Sequence, residues 1–216
     1  MSMQILLSEL ERDALTEIVN IGVSRAAASL RRMIGAEVLL SVPSAEVVSR
    51  PAAAAMIADR EQEPLVAVRQ DFAGPFSGRA LLILPAANGA SLVRAVLGDS
   101  VDDAEALALQ DETLTETGNL VLNNCLGTMA NMLRESLTLS LPDLDHGGPA
   151  ALFASGTRPE DAAAGVVLFL YINFSIRNHD IRGYIAMLMD MPSLAMLQQL
   201  IAGFISSVMD DTAGGS

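Results

Sequence analysis

The feature that most constrains the fold is a short residue pattern that occurs twice in the chain. The first copy contains Glu17, Asn20 and Pro43, and the second contains Glu116, Asn119 and Pro142. Each residue of the first copy returns 99 positions later, and in both copies the proline follows the asparagine by 23 residues. Because three residue types and both spacings coincide, the chain contains an internal duplication.

Both copies lie on predicted long helices, which cover residues 8–34 and 110–136. Side chains three and four residues apart are neighbours on a helix, so Glu17 and Asn20 present a carboxylate beside a carboxamide on an outward face. A single pair of this kind is usually ordinary solvated surface. Its repetition predicts a functional site.

The remaining segments predict two similar halves of the mixed α/β (α+β) class. Apolar runs bounded by glycine and proline predict strands. The predicted strands are residues 37–42, 65–68, 79–84, 137–141, 165–174 and 184–189, and the shorter helices are residues 51–58, 90–97 and 192–204. We expect residues 142–161, which contain glycine and aspartate, to form a loop that includes a short helix.

We expect two α-β-β-β-α halves, residues 8–98 and 106–207, related by a pseudo-twofold axis within a single domain of residues 1–208. Their strands should join in one six-stranded, mostly antiparallel sheet, with the two long motif-bearing helices against a face. The near-continuous apolar strands indicate that both faces of this sheet are covered. Residues 209–216 are expected to form a flexible acidic tail.

The charge of the chain narrows the classes of partner. Its 216 residues include 13 basic and 26 acidic side chains, a net charge of -13. Nucleic-acid recognition relies on lysine and arginine, and anionic membranes attract basic segments, so neither partner is expected. A protein partner with basic groups around its own site is compatible with this charge.

Several features favour the cytoplasm. Cys125 is the only cysteine, which excludes an internal disulfide and fits a reducing compartment. The N-terminus lacks the basic segment and apolar core of a signal peptide. The longest uncharged apolar run, residues 162–176, falls short of a membrane span of about 20 residues. It predicts a buried strand instead.

Other catalytic arrangements find little support. The two histidines, His146 and His179, are 33 residues apart, and neither has a second metal ligand at a suitable spacing. The sequence has no phosphate-binding glycine loop and no nucleophile elbow. We therefore expect no intrinsic metal or cofactor, which leaves the acid–amide pair as the candidate chemistry.

The repeated pattern resembles the signature of the CheC/CheX/FliY chemotaxis phosphatases, in which Asp or Ser, then Glu, Asn and Pro follow one another at these spacings. Asp13 and Glu112 occupy the first position of the two copies, and Pro43 and Pro142 the last. The resemblance covers residues 8–207. Within this family CheC carries two copies of the motif, as this chain does.

The resemblance implies hydrolysis of the aspartyl phosphate on a CheY-type response regulator. Asn20 and Asn119 would position the attacking water, and Glu17 and Glu116 would pair with a lysine beside the phosphoryl group of the partner. The other motif residues would support this arrangement. Mg²⁺ would be held by the response regulator and not by this chain, and a CheD-like deamidase is a further partner that the resemblance allows.

Two other classes of function stay open at this point. The same helices can act as a binding module that captures a phosphorylated receiver domain, or a flagellar or deamidase partner, without hydrolysis. Alternatively, the helix faces can be buried in a structural oligomer, where the glutamates and asparagines would form hydrogen bonds between subunits.

The two sites are expected to be unequal. Glu112 is longer than the Asp or Ser of the signature, and Val19 stands where the family commonly has the glycine that is kept at Gly118. Each site therefore has its own steric handicap, and we expect the second copy, which keeps Gly118 beside Asn119, to be at least as active as the first.

Overall fold

The computed structural model describes residues 7–42, 45–98, 101–154, 165–176 and 179–213. These residues form a mixed α/β fold. The helices are α1 (Glu9–Ile34), α2 (Arg50–Ala58), α3 (Ala86–Leu97), α4 (Asp103–Ala108), α5 (Gln110–Met132), α6 (Pro149–Ala154) and α7 (Met191–Ala213). The strands are β1 (Val38–Ser41), β2 (Ala45–Ser49), β3 (Leu65–Ala73), β4 (Gly78–Pro85), β5 (Thr138–Leu139), β6 (Asp143–Gly147), β7 (Val166–Ile176) and β8 (His179–Met189). Pro43 lies outside the described residues.

The strands belong to one antiparallel sheet that has six positions. From edge to edge the order is β1 with β2, then β7, β8, β4, β3, and finally β5 with β6. Each edge consists of two short strands, because β1 and β2 both pair with β7 while β5 and β6 both pair with β3. The predicted six-stranded antiparallel sheet is therefore confirmed, with both edges broken in two.

Each half of the chain completes the sheet of the other half. The edge strands β1 and β2 precede β3 in the chain but lie beside β7, and β5 and β6 lie beside β3. In the centre β4 pairs with β8, and Leu81 lies opposite Ala186. These two residues are 105 positions apart, and their pairing is the arrangement that a pseudo-twofold relation between the two halves predicts.

Alternate residues of the strands face two separate cores. Val66, Val68 and Leu82 point to the side covered by α1 and α5. Their neighbours Leu65 and Leu81 point to the opposite side, which α2 and α6 cover. Because both faces are covered, the central strands read as near-continuous apolar runs.

The motif helices α1 and α5 pack directly against each other. Gly22 permits the close approach, since a Cβ atom at this position would lie 2.9 Å from the Cα atom of Cys125. Gly127 has no such role, because a Cβ atom there would meet nothing within 4 Å. The two motif faces are thus held on one packed helix pair.

The structure departs from the sequence-based expectation at edges and ends. The strands β2 and β6 and the helix α4 are additional, because elements of five or six residues are too short to show a clear hydrophobic period. Helix α5 ends at Met132, and Arg134 adopts a left-handed conformation with φ 58. Helix α7 continues to Ala213, into the segment expected to form the tail.

Helix α7 is also the one helix, within the described ranges, that is long and apolar enough to cross a membrane, over Met191–Asp210. One such helix is weak evidence for a span. Its inner residues Leu194, Leu197 and Ile201 are buried in the core on the α1 side of the sheet.

Candidate functional site

The four principal motif residues lie where the sequence predicts them, on the outer sides of α1 and α5. Glu17 and Glu116 are exposed, and neither forms a hydrogen bond or an ion pair with a described residue. Asn20 and Asn119, one helical turn further on, are half-buried. Each helix therefore presents an unpaired carboxylate to solvent beside an amide that is partly enclosed.

In the first site, the main chain of the edge strand holds the amide. The Nδ2 atom of Asn20 donates to the carbonyl oxygen of Val42 at 3.0 Å, and the N–H of Val42 donates to Oδ1 of Asn20 at 2.9 Å. Val42 immediately precedes Pro43, so this contact joins the two ends of the motif in the first copy. One N–H and one oxygen lone pair of Asn20 stay available for a ligand.

In the second site, side chains hold the amide. Oδ1 of Asn119 accepts hydrogen bonds from Nε2 of Gln70 at 3.1 Å and from Nδ2 of Asn123 at 2.7 Å. The same Gln70 nitrogen also donates to the carbonyl oxygen of Ser140 at 3.0 Å. Within the described part of the chain, the N–H groups of Asn119 have no acceptor.

The residues that precede the two prolines also differ. Val42 is 2% exposed, whereas Leu141, its counterpart in the repeat, is 89% exposed. In the first site, the chain before the proline therefore closes over the asparagine. In the second it leaves an apolar side chain in solvent.

The steric explanation for unequal sites is wrong for one pair of residues. Val19 is fully buried in the core, so it cannot crowd a partner. Gly118 faces the sheet, because a Cβ atom there would lie 2.5 Å from Cβ of Val68. The glycine permits close helix–strand packing and does not control access. Asp13 and Glu112, by contrast, are exposed on the outer side of their helices.

The alternative chemistries gain no support from the geometry. Burial raises the pKa of the Cys125 thiol to about 12, so the thiol stays protonated and unreactive at neutral pH. His146 is exposed, and its Nε2 atom lies 3.7 Å from Oδ1 of Asp111. No group of potential metal ligands occurs among the described residues. A cavity of about 990 Å³, lined by Arg60 and Tyr171 among others, does not include the motif residues.

The fold and the paired helices define a class of protein: a mixed α/β protein with a glutamate and an asparagine side by side on each of two packed helices. No protein-family model matches the chain. In sequence, it is 26% identical over 141 residues to the flagellar motor switch phosphatase FliY of Bacillus subtilis, which covers 64% of this chain and 36% of FliY. It is 22% identical over 153 residues to the CheY-P phosphatase CheC of the same organism, which covers 69% of this chain and 73% of CheC.

Solved structures show the same fold. The crystal structure of Thermotoga maritima FliY matches with a TM-score of 0.70 at 16% identity, over 93% of this chain and 100% of that chain. The middle domain of FliM from H. pylori matches with a TM-score of 0.58 at 12% identity, over 90% of this chain and 99% of that chain. The fold class and the resemblance to the CheC/CheX/FliY chemotaxis phosphatases are thus confirmed. The matched region spans about a third of the length of Bacillus FliY.

Proposed function

We propose that this chain is a phosphatase that hydrolyses the aspartyl phosphate of a CheY-type response regulator. One observation carries the proposal: each motif helix combines an exposed, unpaired glutamate with an asparagine that is anchored by two hydrogen bonds yet half-open to solvent. The similarity to two Bacillus subtilis proteins that are both named phosphatases supports it.

The anchored amides suit the chemistry of phosphoryl transfer. Hydrolysis requires a water molecule in line with the leaving carboxylate, and catalysis consists mainly of positioning and charge stabilisation. Asn20 keeps one N–H and one lone pair, so it can accept a hydrogen from the water and donate to a phosphoryl oxygen. Asn119 keeps two N–H groups: one can donate to the water oxygen, whose other lone pair is then directed at phosphorus, and the second can donate to a phosphoryl oxygen.

The two glutamates suit a role in docking. An exposed carboxylate without an intramolecular partner is free to bind a cation on another protein, and a charge-assisted hydrogen bond is stronger than a neutral one. We assign Glu17 and Glu116 to a lysine beside the phosphoryl group of the receiver. The response regulator would hold the Mg²⁺ ion, and both proteins would meet in the cytoplasm.

The decisive experiment follows the decay of a phosphorylated CheY-like receiver under single-turnover conditions. We expect the parent protein to accelerate decay and the double variant Asn20→Ala with Asn119→Ala to lose most of this effect. Its affinity for a beryllofluoride-bound receiver should stay close to that of the parent, because the lost contacts act chiefly in the transition state. Parent-like decay by the double variant would refute the water-positioning role.

The single variants test the ranking of the sites. We keep the prediction that the second site is at least as active as the first. The reason is that both N–H groups of Asn119 lack an acceptor among the described residues, whereas one N–H of Asn20 already donates to Val42. If Asn20→Ala alone abolishes turnover while Asn119→Ala has no effect, the ranking is wrong.

A second candidate function is a binding module for the phosphorylated receiver or for a CheD-like or flagellar partner. The exposed, unpaired Glu17 and Glu116 favour it, because docking through these carboxylates requires no positioned water. Binding without any acceleration of decay by the parent protein would select this alternative.

A further inference from the structure

Gln70 breaks the symmetry between the two halves at the second site. It lies on β3 opposite Ala80, and the corresponding residue on β7 is Leu170, which lies opposite Ile185. Leu170 is fully buried in the apolar core under the motif helices. An apolar side chain is therefore compatible with the fold at this position, and the glutamine requires a separate explanation.

The burial of Gln70 is unfavourable for stability. The side chain is 2% exposed, and no described residue donates a hydrogen bond to its Oε1 atom. A buried carbonyl oxygen that lacks a donor is destabilising compared with an apolar side chain of similar shape. The benefit of the glutamine must then come from its Nε2 atom.

That atom lies near three acceptors at the base of the second site. The two hydrogens of Gln70 Nε2 are donated to Oδ1 of Asn119 at 3.1 Å and to the carbonyl oxygen of Ser140 at 3.0 Å, and a longer contact of 3.4 Å reaches Oδ1 of Asn123. Asn123 in turn donates to Oδ1 of Asn119 at 2.7 Å. Both lone pairs of the Asn119 oxygen are thereby occupied, so its N–H groups are the part of the amide left for a ligand.

We propose that Gln70 is a positioning residue for the second site: it fixes the Asn119 carboxamide in the one orientation that offers N–H donors to the receiver. This inference rests on the proposed phosphatase function. It also implies that the two sites differ chemically. The second site offers donors only, whereas Asn20 offers one donor and one acceptor.

The test isolates each site and then removes the Gln70 donor. Gln70→Leu introduces the side chain that the other half carries at the same position. In an Asn20→Ala background, where only the second site is intact, we expect the single-turnover rate constant to fall roughly 10- to 100-fold, since small errors in position cost rate in this range. Affinity for the beryllofluoride-bound receiver should change by less than about twofold, because the contact orients the amide and does not form the docking surface.

Three controls separate positioning from a loss of structure. Gln70→Met keeps the size of the side chain without its donor and should behave like Gln70→Leu. Gln62→Leu applies the same replacement at an exposed position and should leave turnover unchanged. A double-mutant cycle between Gln70 and Asn119 should be strongly non-additive, since without the amide there is no orientation to fix. Additive losses would overturn the proposal.

A spectroscopic measurement makes the inference independent of turnover. The side-chain N–H resonances of Asn119 should show one ordered amide in the parent protein and an averaged, rapidly exchanging amide in Gln70→Leu. If the parent protein fails to accelerate decay, the proposed phosphatase function is refuted, and these resonances alone decide the positioning role. Unchanged Asn119 resonances in Gln70→Leu would overturn it.

Discussion

The contact between Asn20 and Val42 predicts that Asn20 supports the fold as well as the chemistry. Asn20→Ala removes two hydrogen bonds, of 3.0 and 2.9 Å, from the main chain of a residue that is 2% exposed. Each such bond contributes about 0.5–1.5 kcal/mol, and a buried group left without a partner costs about 1–3 kcal/mol. The better helix propensity of alanine returns about 0.5 kcal/mol. We therefore expect a net loss of about 2–3 kcal/mol in the free energy of unfolding.

Asn119→Ala should destabilise the protein less. Its loss leaves Gln70 with two acceptors, Asn123 and Ser140, and disturbs no main-chain group. The free energy of unfolding of both variants can be measured by urea denaturation, monitored through the helical signal in circular dichroism. Asn131→Ala, on the exposed side of α5, is the matched control. For a chain of 216 residues, 2–3 kcal/mol corresponds to a decrease in Tm of roughly 4–12 °C.

A result in which Asn20→Ala unfolds at the same urea concentration as Asn131→Ala would contradict the anchoring contact. The outcome also matters for the kinetic tests. Turnover of the Asn20 variant has to be compared at a temperature where the variant is fully folded, since otherwise lost structure is read as lost catalysis.

Three further predictions follow from packing, burial and charge. Gly22→Ala should destabilise the helix pair because its Cβ atom would lie 2.9 Å from the Cα atom of Cys125, whereas Gly127→Ala, with open space around it, should stabilise by up to about 1 kcal/mol in the same denaturation assay. Burial raises the pKa of Cys125 to about 12, so iodoacetamide at pH 8 should label the thiol only after the protein unfolds. Rapid labelling of the native protein would contradict the burial of this thiol. The double variant Glu17→Gln with Glu116→Gln should bind the beryllofluoride-bound receiver more weakly than the parent at low salt. This loss of affinity should be smaller at high salt, because salt screens exposed ion pairs. An equal loss at both ionic strengths would argue against a charge contact.

The sequence is informative about the fold wherever local patterns agree with tertiary structure. Ser8, followed three residues later by Glu11, is the local pattern of a capping box, and this box forms at the start of α1, where each side chain accepts the other residue's main-chain N–H. The central strands are recognisable because both of their faces are buried. The edge strand Asp143–Gly147 is not, since it has little apolar character and its position depends on pairing with a distant strand.

The candidate site was predictable in its residues but not in its contacts. The duplication identifies the glutamates and asparagines, whereas nothing in the local sequence connects Gln70 with Asn119, which is 49 residues away. Gly118 illustrates the same limit: its family pattern indicates that the residue matters, but only the neighbouring strand shows that the reason is packing against Val68.

The register of the edge strands explains why two equal motifs give unequal sites. Ser41 lies opposite Asn173 on β7. The equivalent of Asn173 on β3 is Ala73, which lies opposite Thr138 and not opposite Ser140, the residue that matches Ser41 in the motif. The second edge is therefore displaced by two residues along its neighbour, which keeps every side chain on its own face of the sheet. In the first site, the main chain before the proline forms hydrogen bonds with Asn20. The displacement moves the corresponding segment before Pro142 away from Asn119, so these bonds do not form in the second site. A buried glutamine on the adjacent strand then supplies the hydrogen bond that the main chain no longer provides.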